Sequence, residues 1–80
     1  MVIEGNDILK EWNLSEIYAS KDYIASSKDW IATLNRIRER CQGNWQIVEL
    51  CRECIFYETK EIQAEVEEIE KRRKAIGQLS

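Results

Sequence analysis

Gln46 to Gly77 reads QIVELCRECIFYETKEIQAEVEEIEKRRKAIG. It holds no proline, and no glycine before its last residue. Its β-branched apolar residues recur at Val48, Ile55, Ile62, Ile69 and Ile76. A step of seven is two helical turns, so all five lie on one stripe. The spacing predicts a single helix of roughly 50 Å, at 1.5 Å per residue. Such a helix cannot cover its own stripe, so the rest of the chain must supply a partner.

The partner lies upstream. Ser20 to Ser26 reads SKDYIAS and is followed at once by SKDWIAT, Ser27 to Thr33. A repeat of this length keeps equivalent residues on one helical face. It suggests a repeated surface presenting Tyr23 and Trp30, or a heptad duplicated as the helix lengthened. Gly43 suits the residue after a helix and Asn44 the cap of the next, so a tight turn is expected there. A short turn makes the helices antiparallel neighbours, in which facing residues share a constant number sum. Ile17 with Ile69, Ile24 with Ile62 and Ile31 with Ile55 satisfy that rule about Gly43. Leu34 with Cys51 and Ile37 with Val48 nearly do.

Met1 to Gly5 reads as a loose leader. Asn6 and Asp7 can cap a short helix bearing Ile8, Leu9 and Trp12, with Asn13 ending it and Ser15 capping the next. That helix is expected to fold over the open end of the hairpin, near Val66 to Ile76. Ser26 and Ser27 offer an alternative break in the first long helix. Gly77 is expected to stop the last helix and Gln78 to Ser80 to fray. The expected fold is all-α: one domain over residues 1–80, with helices at about 7–13, 15–42 and 45–76. It is a long antiparallel helical hairpin with a short N-terminal helix, three-helix-bundle-like, able to pair into a dimeric helical bundle.

Charged residues are 34 % of the chain and hydrophobic residues 44 %, which is too apolar for disorder. No apolar run reaches the eighteen or so residues of a membrane span, and the start lacks a basic n-region. The net charge of −3 exerts no global pull toward nucleic acid. Three cysteines do not close a disulfide framework, so a reduced, cytoplasmic setting is expected.

Cys51 and Cys54 form a C-x-x-C inside the predicted helix. With no histidine and only Cys41 besides, no zinc site is expected, and no strand-to-helix redox motif. Glu58, Glu61, Glu65, Glu67, Glu68 and Glu70 read as a solvated face rather than a catalytic pair. The expectation is therefore no enzyme, no cofactor, no metal and no small-molecule substrate. Two features remain. Arg36, Arg38, Arg40 and Arg52 gather near the turn and could contact phosphates. The apolar surplus is larger. Ile47, Leu50, Cys54 and Tyr57, with Phe56 beside them, make a second stripe, and Tyr23, Trp30 and Ile37 make another on the first helix. The leading expectation is a non-catalytic protein–protein interaction module with Tyr23, Trp30, Ile47, Leu50, Cys54 and Tyr57 at its interface. Its partner is a second copy, another protein, or both. It would act as a regulator, adaptor or inhibitor, of the size a phage or mobile element carries. The alternative is a dimeric nucleic-acid-binding regulator using the four arginines.

Overall fold

In a computed structural model the chain is an antiparallel hairpin of two long helices, 66 × 18 × 12 Å. The structure describes residues 5–79. Helix α1 runs Gly5–Arg40 and α2 runs Trp45–Gly77. Most of the expected leader, Met1 to Glu4, and the last residue, Ser80, lie outside the described residues.

The connection is brief. Cys41 N–H still bonds to Ile37 O at 3.0 Å, and Asn44 N–H turns back to Cys41 O at 2.9 Å. Asn44 is extended, with φ −112° and ψ 95°, and its side chain accepts from Ile47 N–H, capping α2. No described residue has positive φ, Gly43 included. The expected left-handed glycine after α1 is thus absent: a tightened last turn and one extended residue reverse the chain. At the far end Gln78 N–H reaches Lys74 O and Ala75 O, so α2 stops at Gly77 as expected.

One expectation is corrected. Among the described residues there is no separate N-terminal helix and no third layer. The chain passes through Asn13 and Ser15 without a break, as it does through Ser26 and Ser27. No proline or glycine lies there to stop it. Asn13 is held within the helix, its Nδ2 donating to Leu9 O at 2.8 Å. Its Oδ1 accepts from Arg72 Nη1 at 3.0 Å across the hairpin. Continuing the helix keeps Asn13 on the side that faces α2, which a cap at Ser15 would forfeit.

The register follows from two cross-helix bonds, Asn13 with Arg72 and Tyr23 with Glu61. Their number sums nearly equal that of the isoleucine pairs. Along α1 the inward residues step alternately by four and three: Asn13, Ile17, Ser20, Ile24, Ser27, Ile31, Leu34 and Arg38. Along α2 they are Val48, Cys51, Ile55, Glu58, Ile62, Glu65, Ile69, Arg72 and Ile76. This is a heptad seam, one narrow stripe per helix. Ile17, Leu34, Cys51 and Ile69 are buried, the other seam isoleucines half-buried, and no large side chain is fully buried among the described residues. A single neighbouring helix shields a stripe from one side only.

Candidate interaction surface

The seam fixes what lies on each flank. Tyr23 precedes the inward Ile24 by one residue, and Glu61 precedes the inward Ile62 in the same way. The Tyr23 hydroxyl donates to Glu61, so these two flanking rows lie on the same side of the hairpin. Trp30 and Ile37 follow Tyr23 along its row at heptad intervals. Ile47 and Cys54 precede Glu61 along the other. Leu50 and Tyr57 stand just outside Ile47 and Cys54, one turn on. The two apolar stripes therefore share one broad face. Trp30, Leu50 and Tyr57 are 46 %, 61 % and 63 % exposed, so nothing among the described residues covers this face. Tyr23, Ile37 and Cys54 are also exposed, and Ile47 is half-buried.

From Trp30 to Ile37 and from Ile47 to Tyr57, the rows on this face carry no charge. Toward the open end they turn acidic, with Glu61 and Glu68. The Tyr23 hydroxyl titrates above its usual 10.0. The main cause is the hydrogen bond to Glu61, with desolvation second; a bond to Ser27 opposes both.

The opposite flank is different in kind. Lys21, Lys28, Arg52 and Arg73 interrupt its apolar residues. Leu14, Ile17, Tyr18 and Ile76 line a shallow cleft of about 280 Å³ with Lys21 and Arg73. Phe56 lies round the helix from the Leu50 row, under the Lys60 ammonium, which is 4.4 Å from the ring centre. It does not belong to the uncharged face.

The arginines are not gathered on one surface. Arg38 occupies a seam position and is half-buried. It lines an open groove with Arg52, whose Nη1 sits 3.3 Å from Glu49. Arg36 and Arg40 flank Thr33 and Ile37 elsewhere on α1, and Arg36 donates to Thr33 Oγ1 at 3.2 Å. Each pair has carboxylates or hydroxyls for neighbours.

The C-x-x-C cysteines differ in burial. Cys51 is buried in the seam, Cys54 lies on the exposed flank, and Cys41 is half-buried near the turn. No group of three or more potential metal ligands converges among the described residues. No helix among them is long and apolar enough to cross a membrane.

The glutamates do not all behave as a solvated face. Glu58 and Glu65 occupy seam positions and are half-buried. Glu68 Oε1 lies 3.1 Å from Arg72 Nε, off the line of a hydrogen bond, so that contact is an ion pair alone. The serines that open each copy of the internal repeat, Ser20 and Ser27, are buried in the same seam. The repeat thus alternates serine and isoleucine inward while setting Tyr23 and Trp30 on the flank. Counting three residues on from Ile17 and Ile24 finds both serines. Searching for apolar residues alone misses them.

Comparison with protein-family models, curated proteins and solved structures finds no match.

Proposed function

We propose that this chain is a small non-catalytic protein–protein interaction module. The observation that carries this reading is the meeting of two uncovered apolar rows on one uncharged face. Contiguous apolar surface of this kind marks protein docking sites. Its aromatic members, Trp30 and Tyr57, are of the types enriched at interface hot spots. A helical hairpin offering such a face suits a regulator, adaptor or inhibitor that occupies a groove or helix face on another chain. It equally suits self-association into a dimeric helical bundle. The splitting of the four arginines speaks against the nucleic-acid reading, because phosphate recognition gains most from cations that converge.

Affinity capture from native cells tests this, with the unmodified chain and Leu50→Glu as baits, at low and high salt. The expected outcome is a protein partner, another chain or a second copy, retained at high salt and lost with Leu50→Glu. Nucleic acid released steeply by salt, and indifferent to Leu50, would replace this reading with the other.

A further inference from the structure

The two apolar rows of the uncharged face are centred at one point along the hairpin. The α1 row from Trp30 to Ile37 and the α2 row from Ile47 to Tyr57 have midpoints at one height. That height is marked in the seam by Leu34 and Cys51, which are both buried. On the turn side of this patch α1 carries Arg40, and Arg36 borders the patch beside Thr33 and Ile37. On the open side α2 carries Glu61 and Glu68. Apolar residues are thus flanked by a basic end and an acidic end.

The exposed area is large enough for an occupant. The chain exposes 6520 Å². A compact monomer of its 9.5 kDa exposes about 5,000 Å². The excess is larger than the roughly 800 Å² that each partner gives to a standard stable interface.

We propose that this face binds a second copy of the chain, antiparallel, about a twofold axis crossing the hairpin at the height of Leu34 and Cys51. This rests on the interaction-module reading and commits it to one occupant and one alignment. The axis lies in the plane of the face and perpendicular to its length, so α1 covers α1 and α2 covers α2. Leu50 then meets the second copy's Cys54, Ile47 meets its Tyr57, and Trp30 meets its Ile37. The basic turn of each copy is carried toward the acidic stretch of the other, so the charge gradients oppose favourably. The alternatives fail on charge. A parallel pair, turns together, lays α1 on α2 and brings Glu68 of each copy over the other copy's Glu16. A full-length antiparallel overlap lays each apolar patch on the other copy's carboxylates and desolvates them unpaired. Only the overlap of turn halves matches apolar with apolar and opposite charge with opposite charge. The open arms then project in opposite directions.

Sedimentation equilibrium and small-angle X-ray scattering on the unmodified chain test the alignment. The expected result is a mass of twice 9.5 kDa and a longest dimension of about 100 Å. That length is two 66 Å hairpins overlapping by about 14 Å on each side of the axis, at 1.5 Å per residue. Leu50→Glu should give a helical monomer at concentrations where the unmodified chain is dimeric. Val66→Glu, on the opposite flank, should leave the dimer intact. A parallel pair would measure roughly 70 Å, little more than one hairpin, and would overturn the proposal. So would a dimer that survives Leu50→Glu, or a monomeric unmodified chain. A monomer that still captures another protein through Leu50 refutes the second copy and spares the broader reading. A monomer that captures nothing refutes both.

Discussion

The two ends of the hairpin share one seam pattern and differ in what fills it. In the turn half the seam buries Leu34 and Cys51 beside Ile31 and Ile55, and the face alongside is uncharged. In the open half Ile17 and Ile69 are buried, but Ser20, Glu65 and the Asn13–Arg72 bond occupy neighbouring positions. Beyond them Ile8, Leu9 and Trp12 are exposed, with no described residue covering them. The heptad spacing is common to both halves. At every second seam position the open half carries a polar side chain, whereas the turn half carries Leu34 and Cys51 there, with Arg38 closing the seam. Apolar spacing fixes how the helices lie, while the remaining seam positions fix which kind of contact each half makes.

Four substitutions probe that contrast in falling order of effect, with Ile8→Ala as the control for the first. Leu34→Ala should cost about 2–5 kcal/mol by removing a buried side chain. Ile8→Ala should change stability by no more than about 0.5 kcal/mol. Urea unfolding followed by helical circular dichroism, at one fixed chain concentration, compares them. Equal costs would mean that the open end is covered after all. Asn13→Ala should cost about 1 kcal/mol, because Arg72 loses its cross-helix acceptor while remaining half-buried. Replacing both Asn13 and Arg72 with leucine should restore that loss in the same assay; a further loss would show that the polar pair stabilises the open half outright. Asn44→Ala should cost about 0.5–1 kcal/mol, since the cap bond is long at 3.3 Å. Tyr23→Phe should be the mildest and is read from pH. The Tyr23 pKa is raised in the folded chain, so its contribution is complete below pH 10.0 and fades as pH rises through the folded value. Alkaline unfolding of the unmodified chain should therefore show a slope above pH 10.0 that Tyr23→Phe reduces. An unchanged slope would exclude Tyr23 as its source.

Much of this was legible in the chain. The isoleucine rows at Ile17, Ile24 and Ile31 and at Ile55, Ile62 and Ile69 set the antiparallel register, because a heptad is a geometric statement as well as a chemical one. The residues of the uncharged face could also be picked out. That both rows lie on the same side could not, since it depends on which flank of α1 meets which flank of α2. The N-terminal break was misread because Asn13 and Ser15 have the chemistry of caps, and cap chemistry is local. Whether such a residue caps or continues a helix is decided by its surroundings, here Arg72 on the other helix. Ser20, Ser27, Glu58 and Glu65 escaped notice for a related reason. Polarity argues for solvent, and only the spacing argues for the seam.

The single reversal at Cys41–Asn44 has a consequence in time as well as in space. In a hairpin with one turn, the loop closed by each cross-helix contact lengthens steadily with distance from that turn. Leu34 and Cys51 close the shortest loop of the buried layers, and Ile17 and Ile69 a much longer one. Each doubling of a loop costs about 0.6 kcal/mol of closure entropy. Assembly is therefore predicted to start at the turn and zip toward the open end. In stopped-flow experiments Leu34→Ala should mainly slow folding, whereas Ile17→Ala should mainly hasten unfolding. The reverse pattern would place the nucleus at the far end. On the predicted route the uncharged face is complete while the open arms are still unpaired, so two chains can meet through their turns before either has finished folding.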